Sequence, residues 1–245
     1  MPFQELLKPK QKPNHRWNYT ILAEQAYGET YGGRNLIGRD EDVRGGVYYG
    51  TYKGEAIVVD PEKYPDEYDR YYDIAAEKAT VDGKISRSEV LRAVFDTVKS
   101  EMDYSQDGVD GILQRVADQD GLPRFRNGDK LELSMFMKEG VGVCRHQALV
   151  CAALLERFKD EGHIRGDISV DRNERAKTED ERAGGHAWVR YTSSDGHIMI
   201  LDVAQKYFGL LKDTNPRDHW DYMRPEEQRQ AGALGRLSLT DAMRL

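Results

Sequence analysis

Three segments carry residue types that can do acyl-transfer chemistry. The first is Gly140-Val141-Gly142-Val143-Cys144, after which an apolar helical run extends from Ala148 to Leu155. A thiol at the start of a helix lies among unpaired backbone N–H groups and at the positive end of the macrodipole, and both favour its ionised form. The second is Gly185-His186-Ala187-Trp188-Val189, and the third is Met199-Ile200-Leu201-Asp202. A thiol that attacks a carbonyl needs a proton acceptor that later donates, and a group that holds this acceptor in one tautomer. Cys144, His186 and Asp202 supply one candidate each. The backbone N–H of Cys144 is a candidate oxyanion donor.

His186 and Asp202 flank the turn signal Ser193-Ser194-Asp195-Gly196, so hairpin geometry tests whether they can meet. Both indices are even, and side chains of an antiparallel pair share a face only if the loop parity agrees. A two-residue Asp195-Gly196 turn would put Asp202 on the wrong face. The expectation is therefore a three- or five-residue loop, or a bulge with Gly196 at positive φ, bringing the two Cβ atoms to about 5 Å. Trp188 shares the face of His186 and is a candidate for the substrate cleft, or for shielding the pair from water.

The elements that must position these groups follow from periodicity. Helices are expected over residues 71–80, over 87–102 with Ser86 and Glu89 at capping-box spacing, and near 108–118. Along the cysteine helix, Cys144, Ala148, Cys151, Leu155 and Phe158 form an inward stripe headed by the thiol. Period-two patterns at 168–170, 187–191 and 198–203 read as antiparallel strands, with residues 171–184 as a charged loop bordering the cleft. A hairpin is expected over 46–60 with its turn near Lys53-Gly54, and residues 8–16 read as a polar leader.

Other candidates carry less. Cys151 reads as a small buried hydrophobe. His146 lies about 200° around the helix from Cys144, which suits a surface or supporting role rather than catalysis. The spacing of Cys144, His146 and Cys151 matches no structural zinc pattern. Residues 82–89 resemble half of a calcium loop, but Lys78 and Thr80 stand at the first two ligand positions, so no metal is expected. His15, His163, His197 and His219 have no motif around them.

Taken in order, residues 136–146 with the helix after them, His186-Ala187-Trp188-Val189 and Ile200-Leu201-Asp202 resemble the transglutaminase-like superfamily over roughly residues 86–208. The resemblance implies an α+β, papain-like core in which a helix bundle carrying the nucleophile packs on an antiparallel sheet. It implies Cys144 as nucleophile, His186 as general base and acid, Asp202 as its orienting partner, and Tyr104 as a candidate second oxyanion donor. The implied reaction is hydrolysis of, or acyl transfer from, an amide in a peptide or protein through a thioester, without a cofactor. The alternative is an inactive member of the same fold acting as a binding or scaffold module. The expected organisation is an N-terminal extension with a β-hairpin at 1–70, a catalytic core at 71–212, and a mainly helical tail at 213–245.

Composition bounds the remainder. Lys and Arg number 36 against 43 Asp and Glu, a net charge of -7 without a block of like charge, which argues against nucleic-acid and membrane partners and slightly favours a cationic substrate. The two cysteines would lie about 10 Å apart on one helix, beyond disulfide reach. No apolar stretch reaches the ~20 residues of a membrane span, and a cytoplasmic location, which suits a free thiol, is expected.

Overall fold

The structure, a computed structural model, describes residues 15–16, 30–49, 55–126, 129–175, 184–215 and 219–230. Its fold is α+β. Helices α1 (Pro65–Ala79), α2 (Arg87–Glu101), α3 (Gln106–Gln119), α4 (Leu133–Glu139) and α5 (Cys144–Asp160) precede most of the main sheet. The main sheet carries β6 (Gly166–Arg175), β7 (Gly184–Ser193), β8 (Ile198–Asp202) and β9 (Tyr207–Leu210) as an antiparallel meander. The pair His15–Arg16 adds to the outer edge of β6, so part of the expected leader is a short edge strand. A smaller sheet pairs β1 (Val47–Tyr49) antiparallel with β2 (Ala56–Val58), and β4 (Lys130–Glu132) lies parallel to β2. Two short strands, β3 (Asp103–Tyr104) and β5 (Val141–Gly142), pair in parallel just before α5.

Helix α1 begins at Pro65, six residues before the expected start. Pro65 occupies the opening position of the helix, where its missing N–H costs nothing, and Asp66 and Glu67 complement the dipole in the first turn. Residues 65–70, ahead of the expected start, are therefore already helix, and the helix buries Tyr68, Tyr71 and Tyr72. Ser86 does precede α2, but its hydroxyl bonds Ser88 at 2.9 Å and makes no cap, so the expected capping box does not close. Ser105 does cap α3, accepting from the Gly108 N–H at 2.9 Å.

Helix α5 is central. From His146 through Glu156 every side chain is buried, so the expected stripe widens to the whole circumference. The helix lies on β6 and β7, with α2 packed against it. Its neighbours in one continuous apolar cluster include Ile37, Val43, Tyr48 and Ile57 from the segment before residue 70, alongside Val94, Phe136, Leu149 and Val189.

The β1–β2 hairpin forms in register Val47↔Val58, and its expected turn at Lys53-Gly54 lies outside the described residues. The expected loop at 171–184 is shorter than its polarity suggested. Asp171 to Arg175 continue β6 and pair across to β7, Asp171 opposite Trp188 and Asn173 opposite His186. Buried polar side chains survive there because each is partnered: Asp171 by Arg224, Arg172 by the Tyr49 carbonyl, Asn173 by the Asp221 carbonyl. Residues 176–183 lie outside the described part.

Candidate active site

Cys144 is the first residue of α5, delivered by Gly140 at φ 65, which ends α4 in the left-handed conformation, and by the β5 strand. No polar side chain caps this helix at Val143. Instead the His146 ring reaches back, its Nδ1 accepting from the Val143 N–H at 3.2 Å. The Nε2 of that ring stands 2.8 Å from Glu55 Oε1, just ahead of β2, and Phe136 packs on its face at 4.1 Å. Arg145 grips the same carboxylate through contacts of 2.7, 3.0 and 3.1 Å. Both halves of that buried pair sit below their ordinary pKa. Burial lowers His146 to about 4 against the pull of Glu55, leaving a neutral imidazole. Burial would raise Glu55, but His146 and Arg145 outweigh it and bring the carboxyl to about 2. His146 is thus an internal clamp rather than a surface residue, and it does not converge with Cys144 and Cys151 on a common point.

The β7–β8 hairpin obeys the parity argument. Its last pair is Thr192↔Ile198, and Gly196 takes φ 82 in the five-residue connection. The register sets Val189 opposite Leu201, so Asp202 faces the Trp188 position and His186 stands on the diagonal, one step further out than the directly opposed pair expected. The side chains span the difference. His186 Nε2 lies 2.5 Å from Asp202 Oδ2.

The same imidazole acts on the Cys144 sulfur, lowering its pKa, and with Nε2 committed to Asp202 the nitrogen left for sulfur is Nδ1. Sγ also lies 3.9 Å from the Gly185 carbonyl oxygen, and the Ala187 N–H points at it. Burial raises the thiol pKa, but the hydrogen bond and charge of His186, the Ala187 N–H and the Arg145 guanidinium together bring it below its usual value. Burial lowers His186, yet Asp202 first and Cys144 second raise it to about 9. The arrangement therefore favours the thiolate form of Cys144 and the protonated form of His186 relative to the free groups. Cys151, two turns along the same helix and fully buried, has its thiol pushed up by burial.

Asp202 is itself fully buried and accepts two further hydrogen bonds, from the Gln205 N–H at 3.0 Å and from the Tyr222 hydroxyl at 2.8 Å. Trp188 is fully buried, tilted against His186 at 5.8 Å between ring centroids. It shields the pair and does not line an open cleft, because the tail covers it: Tyr222 meets it edge-on at 5.2 Å, and Trp220 packs on His186 at 4.6 Å. Tyr104 is exposed at the other side of the glycine approach, opposite Gly142 in the β3–β5 pair, and its phenol lies in the field of Cys144.

Reasoning from sequence missed Glu55, Gln205, Trp220 and Tyr222. Trp220-Asp221-Tyr222, two aromatics at strand spacing in a polar tail, was a readable signal. In the described tail, residues 221–224 run without regular structure and 225–230 are helical. Among the described residues no helix is long and apolar enough to cross a membrane, and no group of three or more His, Cys, Asp or Glu converges to hold a metal ion. No protein-family model and no curated protein sequence matches the chain.

Proposed function

We propose that the chain is a cysteine-dependent hydrolase or acyltransferase that cleaves an amide bond in a peptide or protein, on a transglutaminase-like core of papain-like fold. One observation carries the reading: a thiol at a helix start and a buried carboxylate share a single imidazole, with 2.5 Å between His186 Nε2 and Asp202 Oδ2.

The chemistry follows from those contacts. The Cys144 thiolate attacks the amide carbonyl, and the carbonyl oxygen, now negative, faces the free N–H groups at the start of α5. Tyr104 is the candidate for a second donor. The His186 imidazolium then gives its Nδ1 proton to the departing amine, leaving a thioester on the sulfur. The neutral imidazole next takes a proton from water, or from an acceptor amine, as that nucleophile attacks the thioester. Asp202 keeps Nε2 protonated throughout, so Nδ1 is always the nitrogen that trades protons with substrate. Trp188 and Trp220 keep water from the His186–Asp202 bond.

Alkylation by iodoacetamide between about pH 5.5 and 7 tests this, because only a thiolate reacts. Cys144 is expected to label on the order of 100-fold faster than Cys151, and His186→Ala to abolish most of that advantage. Equal, slow labelling of both cysteines, or labelling indifferent to His186→Ala, would overturn the proposal and leave the scaffold reading.

A further inference from the structure

We propose that Tyr222 is a positioning residue for this chemistry, the fourth side chain in a row that runs from the Cys144 sulfur to His186 and on through hydrogen bonds to Asp202 and Tyr222 in the interior. The inference rests on the reading of Cys144, His186 and Asp202 as a thiol catalyst.

The geometry is specific about which atom is held. Tyr222 donates to Asp202 Oδ2 at 2.8 Å, the same oxygen that faces His186 Nε2, while the Gln205 N–H occupies Oδ1 at 3.0 Å. Turning the carboxyl would break all three contacts at once, so Oδ2 stays on the imidazole. The phenol ring cannot follow such a turn either. It is 1% exposed, edge-on to Trp188 and stacked on Tyr207 at 5.5 Å and 19°. Its backbone is pinned on both sides: the Asp221 carbonyl accepts from Asn173 Nδ2 at 2.9 Å, and Arg224 bonds Asp171 at 2.7 and 2.9 Å. Burial and the neighbouring Asp202 raise the phenol pKa, so Tyr222 remains an O–H donor across the working range.

A donor on Oδ2 also tunes His186. The O–H dipole turns its positive end toward the oxygen that would otherwise serve the imidazolium alone, which tempers the rise that Asp202 imposes. Among the described residues, the charged or titratable groups that act on His186 are Asp202 on β8 and Cys144 on α5, with Arg145 acting on the Cys144 sulfur; Trp220 packs on the ring without a charge. None of these changes when only the Tyr222 hydroxyl is removed.

Titration of His186 by NMR of histidine-labelled full-length protein reads this directly. Tyr222→Phe is expected to raise the His186 pKa by roughly half to one unit. Tyr207→Phe, whose hydroxyl bonds the Leu210 carbonyl at 3.0 Å and not Asp202, is expected to leave it in place. Replacing Tyr222 with 3,5-difluorotyrosine, a stronger donor of nearly the same shape, should move it down. The ratio of Cys144 alkylation rates with anionic iodoacetate and neutral iodoacetamide falls as the imidazolium is lost, so its midpoint should move with each NMR value. An unmoved His186 in Tyr222→Phe, an equal shift in Tyr207→Phe, or the same sign from the fluorinated tyrosine would overturn the assignment. Should Tyr222→Phe fail to fold, the fluorinated protein decides by the sign of its shift. Unselective labelling of wild-type Cys144 would instead sink the catalytic reading, a separate result from an unmoved His186.

Discussion

Cys144 and Cys151 occupy one face of one helix and differ almost wholly in what surrounds the sulfur. At the first, an imidazole, a backbone N–H and a guanidinium supply positive potential; at the second, apolar burial supplies none. The same contrast separates two buried histidines. His146 lies below its ordinary pKa and contributes stability that is present above about pH 6.5 and lost as pH falls toward 4, with Glu55 continuing the loss from its ordinary carboxyl range down to about 2. His186 runs the opposite way: its contribution is present below about pH 6.5 and lost as pH rises through about 9. Glu55→Gln is expected to cost about 2 kcal/mol at pH 7, because Arg145 and His146 lose their carboxylate, and to flatten the acid slope below pH 4.5. Thermal unfolding of both proteins from pH 3 to 8 measures it, and an unchanged acid slope would remove Glu55 as its source.

At the scale of elements, the approach to the nucleophile depends on space as much as on chemistry. A Cβ built on Gly142 would come within 2.8 Å of both His146 Cβ and Met102 Sδ. Gly142→Ala is therefore expected to cost about 2 kcal/mol and to slow Cys144 alkylation, since the start of α5 must shift to admit the methyl. Urea unfolding and labelling rates on the same preparation check both effects. This segment was legible in the sequence, as were the strands behind His186 and Asp202, because helix starts and strand parity are local properties. The diagonal register of His186 and Asp202 was not, since parity fixes the face but leaves the offset to the length of the connection. Helix α1 was misread at its start because Pro65 serves equally well as a linker residue and as the first residue of a helix. Glu55 carries no periodic signal at all, and the spacing of Trp220 and Tyr222 marks an apolar pair without saying what it packs on. Their places are decided by how the hairpin before α1 and the tail after β9 pack on α5 and the main sheet.

Across the whole molecule, the segments outside the motif-bearing region are tied to it by buried charge. Arg224 bonds Asp171 and Ser169 beneath the sheet and reaches Asp40 on the N-terminal side. Arg190, almost wholly buried on β7, pairs with Glu227. Arg224→Met is expected to destabilise the protein by about 3 kcal/mol, because it leaves the fully buried Asp171 with fewer partners, and adding Asp171→Asn should recover part of the loss. Equilibrium unfolding of the single and double variants tests the coupling; additive losses would show that the two groups act separately.

The order of synthesis gives the tail contact a temporal meaning. Cys144 leaves the ribosome before Tyr222, so the nascent chain for a time holds its sulfur without the hydroxyl that bonds Asp202. On the proposed reading, full reactivity therefore waits until residues 219–224 have packed over the histidine.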